Sequence, residues 1–166
     1  MGDTEGRLSQ RGVRGEFILI FVCLGSREYQ FDRLLRRVDE IAAGDLVDDS
    51  FYAQIGQSTY LPKHFDYVRF MDVDEFKQYQ GKASLVISHG GTGALIGALK
   101  QGKQVIAVPR LAEFHEHTDD HQIQVSSVLE ELGYLKMVLD LEELPAAIND
   151  LLAHPITKRY DRPSNV

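Results

Sequence analysis

The segment Ser84-Leu85-Val86-Ile87-Ser88-His89-Gly90-Gly91-Thr92-Gly93-Ala94-Leu95-Ile96-Gly97-Ala98-Leu99 passes from a β-branched apolar run through three glycines and a threonine into a run of helix formers. That order predicts a buried strand, a tight turn, and a helix whose first backbone N–H groups point back at the turn. Such a helix terminus attracts anions. Gly90, Gly91 and Gly93 carry no Cβ, so the backbone is expected to approach a diphosphate closely, and Thr92 can donate its hydroxyl or cap the helix. The ligand class this suggests is phosphorylated. It is not a P-loop, because no Lys-Ser/Thr follows the glycines, and it is a poor dinucleotide fingerprint, because the glycines follow the fourth strand and not the first. A tight turn without a ligand would read the same way, so the rest of the chain has to discriminate. His89 stands at the carboxyl edge of the strand, where open α/β sheets place ligands. Its imidazole can donate to a phosphate oxygen; a buried ring bonded to a neighbouring carbonyl is the other reading.

On either side of this segment short β-branched runs alternate with amphipathic stretches, the rhythm of an α/β fold with a mainly parallel sheet and helices on both faces. Strand one is expected at 17–24, apolar on both faces and ended by Gly25-Ser26. Apolar residues at Phe31, Leu34, Leu35, Val38 and Ile41 have helical spacing, closed by Gly44. Strands are expected at 51–55 and 67–70, then a short helix to Tyr79 capped by Asp72 or Asp74. After the glycine segment the helix runs to Lys100, with Gly102 in its C-terminal capping region. Strand five is 104–108, followed by a polar loop, a helix over 119–132, a sixth strand over 135–139 and a last helix over 141–153, whose Leu144, Ile148 and Leu151 face either the core or a partner.

The 166 residues carry 18 Lys+Arg against 25 Asp+Glu, a net charge of −7 that disfavours nucleic acid as a partner. This is a length for one domain, with 43% apolar residues to build a core. We read a folded domain over 16–154, a flexible N-terminal segment over 1–15 with four glycines, and a polar tail over 155–166; both ends are expected to be mobile. The longest apolar run, eight residues at 17–24, falls well short of the roughly 20 that span a membrane. No secretory h-region is seen in the first sixteen residues, and the single Cys23 suits a reducing, cytoplasmic compartment. Among apolar neighbours Cys23 reads as core and not as a nucleophile.

Between strand five and its helix, three imidazoles (His115, His117, His121) and four carboxylates (Glu113, Glu116, Asp119, Asp120) fall within nine positions. His117 and His121 would share a helix face at i, i+4, which invites a metal. Thr118, however, stands where a zincin places its glutamate, so no metal is expected. The other reading is a polar loop and helix start with Thr118 or Asp119 as N-cap, Asp120 in the first turn, and the Gln122 amide aimed at the sheet edge that carries the glycines, suited to sugar hydroxyls.

Taken together, Phe21-Val22-Cys23-Leu24-Gly25-Ser26, Phe31-Asp32-Arg33-Leu34, Gln54-Ile55-Gly56, the run from Val86 to Gly93, Val108-Pro109-Arg110 and Glu116-His117 with Asp119-Asp120-His121-Gln122 resemble the glycosyltransferase family 28 C-terminal domain. The likeness is to its stand-alone donor-binding subunits, such as the catalytic subunit of the split dolichol-linked UDP-GlcNAc transferase and related bacterial exopolysaccharide subunits. The resemblance implies the C-terminal half of a GT-B enzyme. It implies a UDP-sugar donor, inverting transfer of a hexose to a lipid-linked saccharide acceptor in polysaccharide biosynthesis, and no cofactor or metal. A membrane-anchored acceptor-binding subunit would hold the chain at the inner face of the membrane and supply the general base. By position, Gly25 and Ser26 would form one loop facing the diphosphate and His89, Gly90, Gly91, Thr92 and Gly93 the other. Asp120, His121 and Gln122 would lie near the ribose or sugar, Arg110 and Glu116 would shape the cleft, and His89 and His117 are the candidate catalytic side chains. Gly97 stands where many relatives carry a glutamate that clamps the ribose. That departure leaves a second reading open, a non-catalytic accessory subunit that stabilises a partner glycosyltransferase.

Overall fold

The structure, a computed structural model, describes residues 18–25 and 28–161. Its strands are β1 (Leu19–Cys23), β2 (Ser50–Gln54), β3 (Asp66–Val68), β4 (Leu85–His89), β5 (Gln104–Val108) and β6 (Lys136–Met137). Its helices are α1 (Asp32–Ala43), α2 (Val73–Lys82), α3 (Thr92–Lys100), α4 (His121–Glu131) and α5 (Leu144–Ala153). The strands form one sheet in the order β3-β2-β1-β4-β5-β6, with every neighbouring pair parallel.

Alternation within the apolar strands builds two cores. Ile20 and Val22 of β1 pack with Leu34, Leu35, Val38 and Ile41 of α1 and Leu144, Ile148 and Leu151 of α5. Phe21 and Cys23 face the other way, onto Leu95, Ala98 and Leu99 of α3 and Leu129 of α4. A strand covered on both faces has to be apolar throughout, which is why β1 reads as an unbroken run. The three α5 leucine and isoleucine positions are therefore core. At about 1.5–3 kcal/mol for each fully buried large aliphatic or aromatic side chain, β1 and β4 anchor the sheet.

The order reverses between β1 and β4: the chain leaves β1 toward β2 and leaves β4 toward β5. A crevice opens at such a switch point, beyond the carboxyl ends of the two strands. Register pairs Cys23 with Ser88, so Gly25 and the glycines after His89 emerge side by side.

Several boundaries differ from the sequence reading for local reasons. The helix expected over 141–153 is a 3-10 turn at Leu141–Glu143, started by Asp140 accepting from the Glu142 N–H, and then α5, which has Pro145 in its first turn. Proline has no N–H to continue the preceding turn. The helix expected from residue 119 begins at His121: Asp120, at its N-cap position, accepts from the Ala112 N–H instead of capping, and Asp119 accepts from the His121 N–H (2.9 Å). The polar tail is held on the body as far as Asp161. Gln104 exchanges two bonds with the Ile156 backbone (2.8 and 3.0 Å), and the Tyr160 ring packs on Tyr134 with centroids 5.1 Å apart. The expected mobility of 1–15, and of the tail over 162–166, lies outside the described residues.

Candidate functional site

A cleft of about 430 Å³ follows the switch point, lined by Gly25, Gln54 and His89 at the strand ends, Met71, Val73, Phe76 and Gln80 on one bank, and Gly93, Ala94 and Gly97 of α3 on the other. A second hollow of about 510 Å³, sharing Gly25, Gln54 and Met71, extends it toward Gln57 and Phe70. No side chain caps α3: Gly91 occupies its N-cap position, and Thr92, expected as a possible cap, is the exposed first residue of the helix. The first intrahelical bond runs from the Leu95 N–H to the Gly91 carbonyl (3.0 Å), so the N–H groups of Thr92, Gly93 and Ala94 precede the ladder and carry the positive end of the dipole.

His89 is the polar group at the head of the cleft. The Gly91 N–H donates to its Nδ1 (3.2 Å), and the Gln122 Nε2 stands 3.3 Å from the same atom. Burial first, then the Arg110 charge, push its pKa down from 6.5 to about 3, so the ring is neutral at ordinary pH. With Nδ1 accepting, the proton of the neutral ring sits on Nε2. That nitrogen faces Gly25, where an added Cβ would stand 2.9 Å from it. Gly25 also has φ +56°, so both the turn and the close approach of the imidazole require glycine there.

The three glycines of the loop have different jobs. A Cβ at Gly90 would lie 2.7 Å from the Gln122 Cβ, and one at Gly91 2.3 Å from the His89 Cε1. Both make room for the protein's own side chains, and their N–H groups donate to Gln122 and His89. All three were expected to open the backbone to a ligand; only Gly93 leaves open space, since a Cβ there would meet nothing within 4 Å.

Gln122 and Arg110 are braces. The Gln122 Oε1 accepts from the Gly90 and Arg110 N–H groups (both 2.9 Å), and the residue is 7% exposed, so its amide points at the glycine loop, as the sequence suggested, and is engaged by it. The Arg110 guanidinium, 1% exposed, donates to the carbonyls of Leu24, Tyr29 and Gln30 and ties the β1–α1 loop to the segment after β5. Burial, partly offset by Glu116, pulls its pKa from 12.5 to about 10, still charged at neutral pH. Glu116, 1% exposed, pairs with Arg33 (2.9 Å) and accepts from the Leu111 N–H. Arg110 and Glu116 thus brace the β1–α1 loop against the segment after β5 and are not among the residues that line the cleft. Ser26, expected on the first loop, lies outside the described residues.

The histidine cluster does not assemble. His117 precedes α4, so it shares no helix face with His121; its ring lies 5.3 Å from that of Tyr29. His115 is exposed in the left-handed region (φ 58°), and Asp120 accepts from the Ala112 N–H. Among the described residues no group of three or more His, Cys, Asp or Glu is arranged to hold a metal ion. Cys23 is core: it donates to the Ser88 Oγ (3.3 Å), and burial raises its pKa to about 11. Gln80 escaped the sequence reading, and Gln54 entered it only within the run Gln54-Ile55-Gly56, without a role of its own. Each has a buried amide atom without a partner, Oε1 of Gln54 and Nε2 of Gln80. An isolated glutamine such as Gln80 gives no motif, and only the fold brings it to one hollow with Gln54.

Residues 19–165 match the family described as Glycosyltransferase family 28 C-terminal domain. A Mus musculus protein named UDP-N-acetylglucosamine transferase subunit ALG13 is 30% identical over 124 residues, 69% of this chain and 10% of that protein. One of the same name from Eremothecium gossypii is 39% identical over 67 residues, 40% of this chain and 31% of its own length. The chain therefore spans a tenth of the mouse relative and under a third of the fungal one. Among solved structures, the glycotransferase of kitacinnamycin superposes with a TM-score of 0.65 at 20% identity, over 88% of this chain and 39% of that enzyme. The solution structure of ALG13 gives 0.57 at 17% identity over 91% and 92%. At these identities the likeness establishes the fold, the Rossmann-like C-terminal half of a GT-B glycosyltransferase.

Proposed function

Because this chain belongs to the glycosyltransferase family 28 C-terminal domain family, we propose that it is the donor-binding, catalytic subunit of a two-component, inverting UDP-sugar glycosyltransferase. In this reading it serves the transfer of a hexose to a lipid-linked saccharide in polysaccharide biosynthesis. The observation that carries it is the cleft beside Gly93, left open by the protein's own side chains where the uncapped end of α3, Gly25 and the His89 Nε2–H converge. Partial positive charge without a carboxylate at that spot suits a diphosphate. Relatives named as UDP-N-acetylglucosamine transferase subunits support a UDP-sugar, with N-acetylglucosamine as the first sugar to test.

In the reaction, the acceptor hydroxyl oxygen attacks the anomeric carbon as the bond from that carbon to the β-phosphate oxygen breaks, and UDP leaves with the electron pair. The α3 amides and the His89 Nε2–H stabilise the charge growing on the leaving group, the task a metal has in other enzymes. A base with a pKa near 3 is too weak to deprotonate the acceptor at neutral pH, so His89 acts as a donor. The acceptor proton goes to a base on the other half of the enzyme, a membrane-anchored partner subunit that completes the cleft; in this reading His117 contributes at the interface with that subunit. No helix among the described residues is long and apolar enough to cross a membrane, so in this reading attachment is supplied by the partner.

Calorimetry of the full chain with UDP tests the site: binding is expected, and Gly93→Val is expected to abolish it. Transfer from UDP-N-acetylglucosamine is expected only when the partner is co-purified. No UDP binding at millimolar concentration, with the partner present, overturns the proposal. Transfer by the pair that survives both Gly93→Val and His89→Ala would leave the chain as an accessory subunit that stabilises its partner.

A further inference from the structure

Gln80 is a buried polar side chain in the cleft that the mechanism above does not use. It stands on α2, is 3% exposed, and lines the cleft with Met71, Phe76 and Gly97. The Gln101 Nε2–H donates to its Oε1 (2.7 Å), while its Nε2 is left without a partner. Folded proteins seldom leave a buried donor unmade, and those that remain call for a use. Gly97 presents no side chain opposite: a Cβ there would lie 3.9 Å from the Gln80 Nε2 and 4.0 Å from its Oε1, with nothing else within 4 Å.

Position along the helix says which part of a nucleotide would meet this nitrogen. Gly97 lies four residues beyond Gly93, about one turn or 5.4 Å along α3 from the amides assigned to the diphosphate. In a nucleotide sugar both the ribose and the donor sugar lie one such step from the phosphates, and the wall beyond Gly97 selects the ribose. Apolar Met71, Val73 and Phe76 continue the wall beyond it, which suits the flat face of a base.

We infer that Gln80 is the specificity-determining residue for the ribose: a hydroxyl oxygen enters the space that Gly97 leaves and accepts the Gln80 Nε2–H. A small rotation about the soft terminal torsion of glutamine turns the amide to the incoming hydroxyl. This rests on the nucleotide-sugar reading above and deepens it, by assigning sugar recognition to α2 instead of α3.

Calorimetry of the full chain with UDP, 2′-deoxy-UDP, 3′-deoxy-UDP and pyrophosphate tests the inference. UDP is expected to bind about tenfold more tightly than at least one deoxy analogue, the effect of one hydrogen bond. Gln80→Met is expected to reduce that preference to within about twofold while leaving pyrophosphate affinity unchanged. Gln101→Ala removes only the bond to Oε1 and is expected to keep the preference. A readout on the unmodified chain guards against a variant that fails to fold: the Gln80 side-chain amide resonance is expected to shift with UDP and not with the discriminated deoxy analogue. Equal affinity for UDP and both analogues, or an unmoved Gln80 resonance, overturns the inference and leaves the proposed function standing. Absence of UDP binding at millimolar concentration, with the partner present, overturns both.

Discussion

Gly91 and Gly93, two positions apart in one motif, should respond oppositely to the same methyl group. In Gly91→Ala the new carbon would stand 2.3 Å from the His89 ring, so ring or loop must shift, a strain of about 1–3 kcal/mol that a lowered denaturation midpoint would report. In Gly93→Ala it meets open space, and better helix propensity raises stability by up to about 1 kcal/mol. The same methyl projects into the cleft, so UDP affinity should fall although the fold is firmer. His89 sets a pH dependence of its own. Its folded pKa of about 3 lies below the ordinary 6.5, so below pH 6.5 the unfolded chain takes up a proton that the folded ring refuses. Stability therefore falls as pH drops, at up to about 1.4 kcal/mol per pH unit, until the pH nears 3. Asp32 and Asp39 act in a lower window. Burial would raise both, but hydrogen bonds from Thr59 and the Tyr60 backbone to Asp32, and from Tyr60, Lys63 and His64 to Asp39, outweigh it and hold them below 3.8. Their contribution is intact above that value and is lost as pH falls toward their depressed pKa values. Urea midpoints between pH 6.5 and 4 should thus slope in the wild type and flatten in His89→Asn.

Among the elements, the β1–α1 loop depends most on a single side chain. Arg110→Lys keeps a charge but cannot reach the carbonyls of Leu24, Tyr29 and Gln30 together, because an ammonium lacks the planar fork. Buried carbonyls left without donors put the expected loss at about 2–4 kcal/mol, measurable by guanidinium denaturation, together with weaker UDP binding as Gly25 loosens. Residues of this kind mark the limit of what the sequence discloses. The strand–glycine–helix segment, the 34-35-38-41 spacing of α1 and the doubly apolar β1 were legible, because backbone periodicity and burial on two faces impose them locally. The place of the candidate site was legible too, since an open sheet puts ligands at a switch point. Role within the site was not. Arg110 and Gln122 look like ligand-binding residues until contacts 81 and 32 positions away in sequence show them bracing the loops. Gln80 carries no local signature at all. The rule that starred the glycines, absence of a Cβ, does not say whether the vacated space faces a ligand or a neighbouring side chain.

At the scale of the whole molecule, every strand is parallel, so every loop that can reach the candidate site leaves the sheet along one edge. The chain has the fold of one half of a glycosyltransferase and covers 39% of the kitacinnamycin glycotransferase. The two banks of the cleft are built differently. One is fastened by Arg110, Gln122 and the Arg33–Glu116 pair into a block that spans the β1–α1 and β5–α4 loops. The other, at the start of α2, presents Phe70 and Val73 to solvent, 43% and 68% exposed. The compliance of the site is therefore lopsided. Adaptation to a new nucleotide or a new docking subunit would have its least damaging substitutions on the α2 side, and divergence among descendants of this chain should gather there while the Arg110 clasp stays fixed.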